Sequence, residues 1–199
     1  MRLSLAPLVL MPLLASSAPM TADVTGPGLD ATASGAAVAG TVADGTAPLA
    51  PELPRLDATH WLNSPPLTLA ALRGRPVLIE FWTFGCSNCR NTLPWLDRVH
   101  ARYASRGLTI IAVHTPEFDQ EREPDAVARA VARLGIRYPV LIDNGYAYWR
   151  ALGNQYWPAF YLIDAEGRIV DAQIGELHAG ERRADAFEAG IARLSGVVR

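Results

Sequence analysis

Residues 76–94 read Pro-Val-Leu-Ile-Glu-Phe-Trp-Thr-Phe-Gly-Cys-Ser-Asn-Cys-Arg-Asn-Thr-Leu-Pro, and Cys86 and Cys89 within them are the only cysteines in the chain. The run from Pro76 to Trp82 is almost continuously apolar and rich in β-branched and aromatic residues, the pattern of a strand covered on both faces. After Gly85 the period becomes helical, with Leu93, Leu96, Val99 and Tyr103 on one side and Asp97, Arg98 and Arg102 elsewhere, until Gly107 ends the helix. This spacing predicts Cys86 at a helix N-terminus, where free backbone N–H groups and the dipole favour thiolate over thiol. Cys89, one turn further in, is expected to be more covered. The pattern therefore predicts a redox pair in which Cys86 attacks and Cys89 resolves.

Two plainer readings compete for the pair. A zinc site needs two more Cys or His at ligand spacing, and His60, His100, His114 and His178 stand far apart, so no metal is expected. A structural staple is disfavoured because closing so short a loop removes little chain entropy.

Beyond this segment, Leu108 to His114 reads as a second apolar strand, parallel to the first because a helix connects them. A helix from about Asp125 follows, with Val127, Ala130, Val131 and Leu134 at helical spacing. Then come a short strand from Tyr138 to Ile142 and a short helix from Tyr146 to Leu152. Ala159–Asp164 and Arg168–Ile174 should form a hairpin around Ala165-Glu166-Gly167. A last helix spans about Glu181 to Leu194, and Trp61 to Leu72 is expected to form a short edge hairpin.

Three blocks now stand in order: Phe81 to Cys89 with Pro94, Val113-His-Thr-Pro-Glu-Phe118, and Tyr156-Trp-Pro-Ala-Phe-Tyr-Leu-Ile-Asp164. Over about Leu67 to Leu194 they resemble thioredoxin-fold proteins of the TlpA-like group, and within it the DipZ-type thiol-disulfide oxidoreductase domain. The resemblance implies an α/β thioredoxin fold, a central mixed sheet flanked by helices on both faces. It also implies a redox-active disulfide at Cys86 and Cys89, a helix-kinking Pro94 and a cis peptide before Pro158. Backbone before that proline would pair with an extended substrate segment, with Trp157 and Pro158 as substrate-binding residues. Departures from the family pattern are Ser87-Asn88 between the cysteines and Thr92 where many relatives carry glutamate.

Two ionisable groups join the candidate site. Glu80 interrupts the apolar strand, and the resemblance places it where thioredoxins carry a buried acid. Desolvated there, it would take the proton of Cys89 through a water. An ion pair with a basic residue such as Arg75 is the competing reading. His114 closes the parallel strand at the same sheet edge, as a proton-transfer group or as a cap bonded to the backbone of loop 115–118.

The remainder is an appendage. Arg2, the apolar stretch Leu3 to Leu14 and Ser16-Ser17-Ala18 predict a signal peptide over residues 1–18. Residues 19–52, dominated by Ala, Gly, Thr and Pro, read as a flexible linker to a domain at 53–199. A net charge of −2 offers no field for nucleic acid or an anionic membrane surface. The expectation is a periplasmic or otherwise extracytoplasmic thiol-disulfide oxidoreductase without a cofactor. It would be a reductase of protein disulfide clients, with cytochrome c maturation one setting for them, fed by a membrane thiol-electron transporter. A peroxiredoxin-type thiol peroxidase is an alternative, since Thr83 precedes Cys86 by three, but Ile79 stands where that motif has proline. A non-catalytic binding module is the other alternative.

Overall fold

The computed structural model describes residues 47–196. The elements in order are β1 Trp61–Leu62, β2 Val77–Trp82, α1 Ser87–Tyr103, β3 Thr109–His114 and α2 Pro124–Leu134. These are followed by β4 Val140–Ile142, α3 Ala147–Ala151, β5 Ala159–Ile163, β6 Ile169–Ile174 and α4 Arg182–Leu194. They build one six-stranded sheet in the order β1-β4-β3-β2-β5-β6.

Strand β2, the apolar run, lies inside the sheet with all six residues buried. It pairs in parallel with β3 and antiparallel with β5, so its backbone groups are satisfied from both sides. Alternation along β2 sorts its side chains between two cores. Leu78 and Trp82 join Leu93, Leu96 and Val99 of α1, Val127 and Val131 of α2, and Phe187 and Ile191 of α4. Ile79 and Phe81 face the other way, toward Tyr148 of α3 with Leu53, Trp61 and Leu72. The sheet is mixed and flanked by helices on both faces, as the sequence predicts. Each fully buried Leu, Ile or Phe here contributes about 1.5–3 kcal/mol.

Helix α1 continues into a short 3-10 turn that Gly107 closes at φ 95°, a left-handed value that a side chain would resist. Pro94 sits inside α1, where it cannot donate back to the Arg90 carbonyl. The β5–β6 hairpin is formed, with Asp164 Oδ1 accepting from the Arg168 N–H at 2.7 Å.

Two expectations need correction. Trp61–Leu72 is not a hairpin: Trp61 and Leu62 pair antiparallel with Leu141 and Val140 of β4. Pro65 and Pro66 have no N–H to build a returning strand, and Asn63, at φ 63°, turns the chain and donates to the carbonyls of Ile136 and Tyr138. The second concerns the linker, whose last residues are held. Leu49 bridges to Arg168, the Ala50 N–H donates to the Gly167 carbonyl, and Glu52 accepts from the N–H groups of Leu53, Leu69 and Ala70. This segment covers the free edge of the hairpin, so residues 47–52 pack as part of the folded unit. The predicted signal peptide and the rest of the linker lie outside the described residues.

Candidate active site

The sheet delivers the cysteines where β2 ends and α1 begins. Cys86 is the N-cap of α1 and half-buried; Cys89 is 1% exposed and packs with Leu78 and Trp82. The two are joined as a disulfide with Cα atoms 5.3 Å apart. Cys86 Sγ accepts the Cys89 N–H at 3.1 Å, one of the N–H groups that a helix start leaves free. The outer sulfur is thus accessible and the inner one covered, the asymmetry predicted from the spacing. Among the described residues no group of three or more His, Cys, Asp or Glu converges as a metal site.

Glu80 lies on the α1 side of β2, between Leu78 and Trp82 in the alternation, and is fully buried. Among the described residues neither carboxyl oxygen has a hydrogen-bond partner of good geometry. Burial pushes its pKa up to about 8; the nearby Tyr138 hydroxyl offsets part of this and the charge of Asp97 adds to it. The ion pair with Arg75 does not form. Arg75 is exposed and precedes the strand, whereas Glu80 is held mid-strand under a helix.

His114 ends β3 opposite Trp82 and is also buried. Its Nε2 lies 3.2 Å from Thr83 Oγ1, and its ring stacks on Phe84 with centroids 5.6 Å apart. The ring therefore engages the segment leading to Cys86, and the expected cap on the backbone of loop 115–118 is replaced by this hydroxyl contact. Thr83 follows β2 directly, which brings it closer to the strand-end histidine than the loop that turns away. Burial holds the imidazole pKa down to about 4, against the opposing pull of the Glu121 charge.

The Trp157–Pro158 peptide is cis, and the Pro158 carbonyl accepts from the Gly175 N–H at 2.9 Å. Trp157 packs on Trp149 at 4.2 Å between centroids and donates from Nε1 to the Thr115 carbonyl at 3.0 Å. Tyr156 does not share that packing and is 54% exposed. Phe118, on the loop after β3, is 53% exposed.

Thr92, the residue in place of the family glutamate, ties α1 to the β6–α4 connection. Its hydroxyl donates to the Asn88 carbonyl and accepts from the Leu177 N–H, both at 3.2 Å.

One residue of the site was not anticipated. Glu121 is 1% exposed, and its carboxylate accepts from the N–H groups of Gly85 at 2.9 Å, Glu117 at 2.7 Å and Phe118 at 3.0 Å. A Cβ on Gly85 would run into that carboxylate, which is why glycine precedes the nucleophile here. An acid in a polar loop with backbone partners gives no sequence signal. The only hint was the glycine itself.

Comparison with known proteins agrees with this geometry. Protein DipZ of Mycobacterium tuberculosis is 46% identical over 121 residues, covering 59% of this chain and 17% of that protein. The thiol-disulfide oxidoreductase YkuV of Bacillus subtilis is 29% identical over 115 residues, covering 58% of this chain and 77% of YkuV. The match thus spans less than a fifth of the length of DipZ. The crystal structure of a thiol:disulfide interchange protein of the thioredoxin family from Chlorobium tepidum superposes with a TM-score of 0.61 at 23% identity, covering 77% of this chain and all of that one. That likeness shows the thioredoxin fold. Residues 52–189, which hold the disulfide, the buried Glu80 and Glu121 and the cis proline, match the redoxin family model, and the chain belongs to the redoxin family.

Proposed function

We propose that this chain is a thiol-disulfide oxidoreductase that reduces disulfides in exported client proteins. The observation that carries the reading is the Cys86–Cys89 disulfide at the α1 N-terminus, half-open at Cys86 and closed at Cys89. In the reduced protein, the Cys86 thiolate attacks one client sulfur and the other client sulfur leaves as a thiolate that takes up a proton. Cys89 then loses its proton and attacks Cys86 Sγ, releasing the second client thiol. Two electrons have passed to the client, and the disulfide seen here is restored.

Glu80 serves both directions of this cycle. With a pKa near 8 it holds a proton at neutral pH in the disulfide state, ready for the Cys89 sulfur when a donor reduces the pair. In the dithiol state it is the base that takes that proton back. His114, held neutral and bonded to Thr83, orients the strand end and is a secondary candidate for proton transfer. Client backbone is expected along Trp157 and Pro158, with the exposed Tyr156 and Phe118 as an apolar rim. The apolar stretch Leu3 to Leu14 and the small residues Ser16-Ser17-Ala18 support an extracytoplasmic site of action, with electrons arriving from a membrane thiol transporter.

The test is trapping. Cys89→Ala should accumulate a mixed disulfide between Cys86 and a client, and Cys86→Ala should trap far less. A protein that traps nothing while consuming peroxide at Cys86 would be a peroxidase instead. A reduction potential near about −270 mV supports the reducing direction, and one near about −120 mV reverses it.

A further inference from the structure

The peptide group of Gly85, immediately before the nucleophile, is held from both ends by charged side chains. Its N–H donates to Glu121 Oε1 at 2.9 Å, and its carbonyl accepts from Arg90 at 3.0 Å. Arg90 also takes the Phe84 carbonyl at 2.9 Å. The other carboxylate oxygen of Glu121 gathers the N–H groups of Glu117 and Phe118. The acid therefore fastens loop 115–118 to the approach to Cys86. It forms no ion pair among the described residues, and it sits buried against the residue that precedes the attacking cysteine.

We propose that Glu121 is a positioning residue that sets the redox poise of the pair, opposing the thiolate form of Cys86 and so keeping the dithiol a good reductant. The proposal rests on the exchange reading above and deepens it. Two features of α1 favour the Cys86 thiolate: the free N–H groups of its first turn and the guanidinium of Arg90. Glu121 acts against both. Its charge repels a thiolate, and it occupies the Gly85 N–H that would otherwise be free to turn toward the sulfur. A thiolate made less stable means a dithiol form made less stable, which lowers the reduction potential. The charged and titratable groups gathered around Cys86, Gly85 and Glu121 are Arg90 on α1, His114 at the end of β3, Glu117, Glu121 and Arg122 on the loop after it, and Tyr146 before α3, whose hydroxyl donates to the Pro116 carbonyl. Glu80 stands on β2, and Glu176 with His178 stands across from Asn91 of α1. Of these, Glu121 alone is both buried and bonded to the residue before the nucleophile.

The experiment measures the Cys86 thiolate pKa, from alkylation rate against pH in the Cys89→Ala background, and the dithiol–disulfide equilibrium with glutathione in the parent. Glu121→Gln should lower the Cys86 pKa by about one unit. At a pH above the Cys86 pKa of both proteins it should also shift the equilibrium by up to about tenfold toward the dithiol, a rise of about 30 mV at most. Glu121→Asp, which keeps the charge while shortening its reach, should stay near the parent pKa. Asp119→Asn, at a fully exposed acid of the same turn, should move neither quantity. Superimposable pH profiles for the parent and Glu121→Gln would overturn the inference, as would an equal fall in Glu121→Asp. If Cys86 of the parent is alkylated no faster than Cys89, the exchange reading itself fails, an outcome distinct from normal Cys86 chemistry that ignores Glu121.

Discussion

Two buried glutamates, one in the strand that leads to Cys86 and one bonded to the Gly85 N–H, are treated by the protein in opposite ways. Glu80, on the sheet beneath α1, has no well-formed hydrogen bond to either oxygen among the described residues, and burial lifts its pKa to about 8. Glu121, on the loop beside Cys86, is buried to the same depth but has three backbone N–H groups aimed at it. Depth alone does not decide what a buried acid does; the donors supplied to it decide. An interior strand has already spent its N–H groups on neighbouring strands, so burial outweighs the Tyr138 hydroxyl and Glu80 holds a proton at neutral pH in the disulfide form. A loop has N–H groups left over, and Glu121 collects them.

The largest way to break this contrast is by truncation. Glu121→Ala strands three N–H groups, each costing about 1–3 kcal/mol when buried without a partner, less whatever the loop recovers by opening to water. A loss of about 3 kcal/mol in urea unfolding of the disulfide form is expected. Glu80→Gln, which removes the cost of protonating a buried acid above pH 4.5, should show no loss at pH 7 and a gain of up to about 3 kcal/mol. Equal losses for the two variants would mean that Glu80 is held by partners after all.

The contrast also marks what the sequence could disclose. Strand β2, helix α1 and the β5–β6 hairpin follow from periodicity and turn chemistry within a dozen residues. Cys86, Cys89 and Glu80 lie on those elements, so their neighbourhood was legible from chain position and strand alternation. The β1–β4 pairing was not, because a two-residue strand carries no period and its partner lies some eighty residues away. Glu121 was hidden for a related reason. Its partners are backbone N–H groups, which every residue but proline possesses, so nothing in the side chains of Gly85, Glu117 or Phe118 announces the contact. The docked segment from Ala47 was masked by a composition that reads as spacer, since main-chain pairing to the hairpin edge asks little of side chains.

The next effect is on stability against pH, where Glu80 and His114 pull in opposite directions. Glu80 binds its proton more tightly folded, near 8, than its ordinary value near 4.5, so between these values folding takes up a proton and stability falls as pH rises. His114 binds its proton less tightly folded, near 4, than its ordinary 6.5, so its contribution is present above 6.5 and is lost as pH falls toward 4. From about 4.5 to 6.5 the two slopes cancel. From 6.5 to 8 Glu80 acts alone, at about 1.4 kcal/mol per pH unit, a decline of roughly 2 kcal/mol. Urea unfolding of the disulfide form should show a plateau followed by that decline. Glu80→Gln should abolish the decline and expose a rise between 4.5 and 6.5. A decline that persists in Glu80→Gln would assign it to another group.

The smallest effect is kinetic and separates the proton role of Glu80 from its place in the core. Glutamine fills the same volume under α1 and leaves the disulfide in place, but it neither takes the Cys89 proton nor returns it. Resolution of the mixed disulfide should therefore slow by roughly tenfold near neutral pH, about 1.4 kcal/mol of barrier, while the first attack by Cys86 stays unchanged. Stopped-flow reduction of a model protein disulfide reads the two steps separately. Because the parent relies on ionised Glu80, its resolution rate should climb as pH rises toward 8, whereas the Glu80→Gln rate should follow the Cys89 thiol alone. Parallel pH profiles for the two proteins would leave Glu80 a buried acid without a proton-transfer role, and the contrast with Glu121 would then be one of hydrogen bonding only.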